Sequence, residues 1–164
     1  MAALTQGTLA PEVSLASAVG KRVSLKAELK KGPVLLAFFK ISCPVCQFTF
    51  PLLERIYKAH KGKANIIGVS QNPKQDTEAF IKEYGITFPV LLDDTSTYAV
   101  SNAYGLTNVP TLFFVTPDGE IEISSVGWSK SDVAEINRRF SDAESGNPAT
   151  LFKTGEDIPD FKAG

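Results

Sequence analysis

Cys43 and Cys46 are the only thiols in the chain, and only Pro44 and Val45 separate them. A thiol pair at this spacing is suited to reversible disulfide formation. On the first turn of a helix the two Cα atoms lie about 5 Å apart, inside the range a disulfide tolerates. The run Val34-Leu35-Leu36-Ala37-Phe38-Phe39 just upstream reads as a buried strand, and Gln47 to Lys61 carries apolar residues at helical spacing. Cys43 therefore falls near a helix N-cap, where free N–H groups and the helix dipole favour a thiolate. Cys46, one turn deeper, is placed to be the resolving thiol. Pro44 at the first helical position forfeits no hydrogen bond and stiffens the turn. Lys40 is close enough in the chain to add positive potential.

Other uses of the two sulfurs fit less well. As inert buried hydrophobes they would have no reason to share this spacing in a strand-to-helix context. A structural zinc site needs four ligands, usually including a second pair, and the single histidine, His60, stands at the far end of the same helix, where a surface role is expected. No metal and no cofactor is implied. Two close cysteines are also too few for the disulfide framework of a small secreted scaffold.

The elements that would position the pair follow from local pattern. Val13 to Leu15 and Lys21 to Leu25 alternate like a short hairpin, and Leu25 to Lys31 allows one or two helical turns before Gly32-Pro33. After the strand at 33–40, a helix with Val45, Phe48, Leu52 and Ile56 as its sheet-facing stripe is expected, kinked at Pro51 and stopped at Gly62. Ala64 to Ser70 is a second buried strand. Pro73 opens a helix with Ala79, Phe80 and Tyr84 inward and Gly85 as its stop; Phe88 to Leu92 is a short strand, and Thr97 to Tyr104 a helix ending at Gly105. Thr111 to Val115 and Glu120 to Val126 form an antiparallel pair around Thr116-Pro117-Asp118-Gly119. Ser131 to Phe140 is an amphipathic helix holding one of two basic pairs, Lys30-Lys31 and Arg138-Arg139, expected on solvated helix ends. Trp128 is expected in the core or the hairpin, and residues from Ser141 on read as an extended tail. Alternating strands and helices closed by a hairpin and a helix give an α/β sandwich with a mixed sheet. The cysteines sit at the carboxyl end of a strand, where open α/β sheets place their sites.

With 164 residues, 43% hydrophobic and 21% charged, the chain is expected to form one domain over 1–164, with a core of about 8–140 and a tail of about 141–164. A net charge of −1 supplies no field to attract nucleic acid or anionic lipid. No apolar stretch approaches the roughly 18 residues of a membrane span. Met1 to Pro11 lacks the basic start and apolar stretch of a signal peptide. As written the chain is expected in the cytoplasm, or in the periplasm or another extracytoplasmic space if a leader has been removed.

The segment Phe38-Phe39-Lys40-Ile41-Ser42-Cys43-Pro44-Val45-Cys46 resembles the active-site segment of thioredoxin-like proteins. The nearest group is the redoxin branch, shared by peroxiredoxin-like (AhpC/TSA) proteins and thiol–disulfide reductases of the TlpA/ResA type. Ala10-Pro11-Glu12-Val13-Ser14-Leu15 resembles that branch's A-P-x-F-x-L opening, Gly105 to Thr111 its G-V-x-x-x-P-T segment, and Thr116 to Gly119 its D-x-x-G hairpin. The likeness runs over about residues 8–140 and implies a thioredoxin-like three-layer sandwich, a mixed central sheet flanked by helices. It further implies that Pro110 is a cis proline facing the cysteines, that Val109 offers backbone to a bound polypeptide, and that Pro44 lies against the substrate. Lys40 and Ser42 would modulate the site; Ser42 stands where thioredoxins and TlpA-type proteins carry Trp, which bears on substrate choice and redox potential.

Two activities fit the branch. In a thiol–disulfide oxidoreductase Cys43 attacks and Cys46 resolves, with a protein disulfide as substrate and a separate, unidentified electron donor. In a thiol peroxidase Cys46 would be the peroxidatic residue, peroxide the substrate, and Cys43 would stand where a Thr or Ser hydroxyl is wanted. That second scheme also needs an arginine at the thiolate, and none of Arg22, Arg55, Arg138 and Arg139 is obviously placed for it. A redox-inert binding module of the same fold is a third alternative.

Overall fold

The computed structural model describes residues 2–144, 146 and 150–164. Its centre is β3 (Val34–Phe39), all six of whose residues are buried. Leu35, Ala37 and Phe39 pack into one core while Val34, Leu36 and Phe38 pack into another on the opposite face. Period-two alternation within a wholly apolar run is what a strand covered on both sides requires.

Around β3 a five-stranded sheet assembles in the order β5-β4-β3-β6-β7, from β4 (Asn65–Ser70), β5 (Val90–Leu92), β6 (Thr111–Val115) and β7 (Ile121–Val126). β3, β4 and β5 run parallel; β6 and β7 are antiparallel to their neighbours. The parallel pairs are bridged by α2 (Pro44–Ala59) and α3 (Lys74–Tyr84). One face of the sheet is covered by α2, α3 and α5 (Lys130–Ala143), and the other by α1 (Leu25–Leu29) with Val13 and Tyr104. α4 (Ala99–Ala103) leads into that second face, where Val100 packs partly buried. The hairpin β1 (Ser14–Ala16) and β2 (Arg22–Ser24) is antiparallel, as its alternation predicts. Glu12 joins the hairpin to α1, accepting hydrogen bonds from the N–H groups of Val13 and Lys26 and from Ser24 Oγ. Trp128 is fully buried, as expected.

Five local expectations need correction. The inward face of α2 is Cys46, Thr49, Phe50, Leu53 and Ile56 together with Leu52, whereas Val45 and Phe48 are only partly covered. Phe50 wins because its ring meets Phe39 at 4.3 Å between centroids and Phe80 at 5.6 Å, in an aromatic cluster beneath the sheet end. The helix, expected to stop at Gly62, ends at Ala59. In α3, Thr77 and Phe80 point inward and Ala79 is exposed; Gly85 (φ 65°) closes it in a left-handed cap. His60 is buried, held between Glu144 and Asn137 at 2.8 and 3.0 Å. Arg138 and Arg139 sit within α5, paired with Glu135, and Arg139 also reaches Glu122.

The tail departs most from expectation. α5 continues to Ala143, and residues 150–164 pack against the body. Leu151 is buried, Arg55 forms a two-point ion pair with Glu156 (2.7 and 2.5 Å), and Trp128 Nε1 donates to Pro159 O at 2.7 Å. The segment ends in β9 (Phe161–Lys162), antiparallel to β8 (Trp128–Ser129). Residues 145 and 147–149 of the expected tail lie outside the described residues.

Candidate active site

β3 ends at Phe39, the chain turns through Lys40 to Ser42, and α2 begins at Pro44 with Cys43 as its N-cap. The turn is held from two sides. Asn72 Oδ1 accepts the Ile41 N–H at 2.9 Å, and Gln47 Nε2 donates to Ile41 O at 2.9 Å. The motif does not announce these two positioning residues: Gln47 directly follows Cys46, but Asn72 lies in the loop after β4 and meets the site only once the sheet has formed.

Cys43 and Cys46 are free thiols in this structure. Cys43 is half-buried, and its sulfur does the work of an N-cap oxygen, accepting the Cys46 N–H at 3.1 Å. The same sulfur donates its own hydrogen to Val109 O at 3.3 Å. Negative charge on Cys43 would meet an N–H donor and the positive end of a sixteen-residue helix. Cys46 is fully buried, and desolvation together with its hydrogen bond to Cys43 pushes that thiol's pKa far above its ordinary value. One sulfur faces solvent and one does not, which makes them chemically unequal.

Opposite the pair, the Val109–Pro110 peptide bond is cis. Thr111 Oγ1 donates to Asn108 O at 2.8 Å and braces the loop that carries it. Of the other residues singled out from the sequence, Pro44 and Ser42 are exposed beside Cys43, and Val109 is half-buried against the Sγ. Lys40 is exposed and lines a hollow of about 250 Å³ on one side of Val109, together with Gln71, Tyr98, Asn102 and Asn108. The arginines are engaged elsewhere: Arg22 with Ser14 O, Arg55 with Glu156, Arg138 and Arg139 with Glu135. Among the described residues no cluster of His, Cys, Asp or Glu could hold a metal ion, and no helix is long and apolar enough to cross a membrane.

A mixed five-stranded sheet between helical layers, with a dithiol at the junction of β3 and α2 and a cis proline opposite, defines a thioredoxin-like fold. The model of the AhpC/TSA family matches residues 6–124, and the chain belongs to that family. It is 33% identical over 120 residues to the thiol-disulfide oxidoreductase ResA of Bacillus subtilis, covering 72% of this chain and 65% of the relative. ResA of Halalkalibacterium halodurans is 31% identical over 120 residues, covering 71% and 66%. The chain thus spans just under two thirds of the length of these two relatives. Among solved structures, the thioredoxin domain of a thiol-disulfide oxidoreductase from Bacteroides vulgatus superposes with a TM-score of 0.73 at 26% identity, covering 84% of this chain and 98% of that one.

Proposed function

We propose that this protein is a thiol–disulfide oxidoreductase in which Cys43 is the nucleophile and Cys46 the resolving thiol. The observation that carries the assignment is the inequality of the two sulfurs. The half-exposed Cys43 caps α2 and receives an N–H, while the fully buried Cys46 is held protonated by desolvation. The names of the ResA relatives support the same reaction class.

The reaction balances without a cofactor. Cys43 thiolate attacks one sulfur of a substrate disulfide; the substrate S–S bond breaks, a Cys43–substrate disulfide forms, and the departing thiolate takes up a proton. Cys46 then gives up its proton and attacks Cys43 Sγ, which releases the second substrate thiol. Two electrons and two protons pass to the substrate, and the chain is left with a Cys43–Cys46 disulfide for an electron donor to reduce. Val109 O accepts from the Cys43 thiol and so stands beside the attacking sulfur, and a protein disulfide whose backbone can use it is the substrate class we assign. Lys40, Ser42 and Pro44 form the rim that such a substrate would touch.

Peroxidase chemistry at Cys46 is less well supported, since that sulfur is buried and the four arginines are committed elsewhere. Insulin reduction followed by single-turnover alkylation tests the proposal. Iodoacetamide at neutral pH should modify Cys43 first, and Cys46→Ser should accumulate a mixed disulfide with the target. Preferential alkylation of Cys46, with hydrogen peroxide turnover surviving in Cys43→Ser, would sink it.

A further inference from the structure

The carbonyl of Val109 has a second neighbour besides Cys43. A methyl group placed on Gly164 would stand 2.5 Å from Val109 O and 3.3 Å from Gly127 Cα, and one placed on Gly127 would stand 2.5 Å from Lys162 O. Gly127 adopts φ 77°, so this junction joins two backbones that only residues without a Cβ allow to approach so closely. Around it the chain's last described residues are tied down along their length. β9 pairs with β8, Lys130 N–H donates to Asp160 O at 2.9 Å, Asn108 Nδ2 donates to Gly164 O at 3.1 Å, and Lys162 Nζ stands 5.2 Å over the Phe48 ring. Phe161 is nevertheless 62% exposed, so the strand is held mainly by backbone and by its ends rather than by a buried side chain. The whole segment lies beyond the 6–124 stretch that the family model matches.

We infer that residues 161–164 form a strap that occupies the polypeptide-docking surface between Val109 and Gly127 and must be displaced before an extended substrate can pair there. The inference rests on the proposed oxidoreductase reading. Val109 O is the acceptor beside the reactive sulfur, and the strap's backbone fills the space on its Gly127 side. The strap does not line the hollow of Lys40, Asn102 and Val109, and Cys43 is itself half-exposed, so a small disulfide can reach its sulfur without moving the strap. An extended polypeptide needs the Gly127 side and competes with the strap for it.

Gly164→Ala tests the inference in the full chain, because the added methyl cannot share space with Val109 O. Reduction of insulin and of hydroxyethyl disulfide are measured side by side. Turnover of hydroxyethyl disulfide by the unaltered chain reports on the oxidoreductase reading alone, and its absence would overturn that reading. The strap predicts that Gly164→Ala raises kcat/KM for insulin by about threefold or more, since the competent fraction rises, with the small disulfide unchanged. An unchanged insulin rate, or an equal rise on both substrates, overturns it. A second readout uses no strap variant. In Cys46→Ser trapped with a target peptide, the amides of residues 161–164 should lose hydrogen-exchange protection relative to the free chain; retained protection would refute displacement.

Discussion

The two ends of α2 treat polar groups in opposite ways. At its carboxyl end, His60 is buried with both ring nitrogens in hydrogen bonds, and further up the helix Glu54 is buried with its carboxylate accepting from Thr87 N–H and Oγ1. Those groups are enclosed and answered, so they can only hold the fold together. At the amino end, a half-exposed sulfur caps the helix and donates to a carbonyl that itself faces a seated strap. Its partners can be exchanged for those of a substrate. Polarity that is satisfied inside the protein reads as structure, and polarity open to exchange reads as chemistry.

Breaking the amino end should cost activity and spare stability. Cys43→Ser should lower disulfide reduction by ~10³-fold or more, the scale on which loss of a nucleophile is felt. Ser is itself a good N-cap, so the thermal midpoint should hold or rise slightly; a large fall in the midpoint would show that the sulfur is structural. Breaking the carboxyl half should do the reverse. Glu54→Ala leaves the Thr87 and Phe88 N–H groups without their acceptor and should destabilise by about 2–3 kcal/mol in urea unfolding, given that hydrogen bonds to charged groups are worth roughly 1.5–3 kcal/mol. Its turnover per folded molecule should match that of the unaltered chain. A Glu54 variant of normal stability and poor activity would reverse the comparison.

Much of this division was legible in the sequence, for identifiable reasons. β3 and the cysteine pair announce themselves because a six-residue apolar run and a two-residue spacing are local signals, and the sequence resemblance placed Pro110 opposite them. Phe50 against Phe48 could not be settled locally, since α2 carries apolar residues on both of the sides where these two rings lie, and only the position of Phe39 and Phe80 decides which side is the inner one. His60 read as a surface residue because its partners, Asn137 and Glu144, lie 77 and 84 residues away. The docked tail was the least visible. Its Gly, Pro and charged composition lacks periodicity, and its attachment depends on partners from distant elements, among them Arg55, Trp128 and Asn108.

A smaller effect concerns a polar atom of α2 that belongs to neither end. Thr49 is fully buried, and among the described residues its Oγ1 is the only buried side-chain nitrogen or oxygen without a hydrogen-bond partner. Belonging to neither class, it should be a net cost to folding. Thr49→Val keeps the branched shape and removes the unanswered hydroxyl, so it should stabilise by about 1 kcal/mol, at the low end of the penalty for a buried unsatisfied group. Lost stability in that variant would show that the hydroxyl has a partner in solution, and a changed reduction rate would tie that partner to Cys46.

The smallest effect lies in the tail and depends on pH. Glu156 is held at a pKa of about 2, against an ordinary 4.5, first by its hydrogen bonds from the Arg55 guanidinium and then by the Lys153 N–H. A folded-state pKa below the unfolded value means that the docked form binds fewer protons, so the contribution is complete above pH 4.5 and disappears as pH falls from there towards 2. Both partners are only partly buried, so water and salt screen the pair and keep its contribution small. Hydrogen exchange in residues 150–164 should therefore quicken selectively between pH 4.5 and 2 once the intrinsic pH dependence of exchange is removed, while β3 stays protected. Arg55→Gln should bring the same loosening to neutral pH. If the tail loosens only together with β3, the ion pair does not hold it separately, and the tail unfolds as part of the sheet it covers.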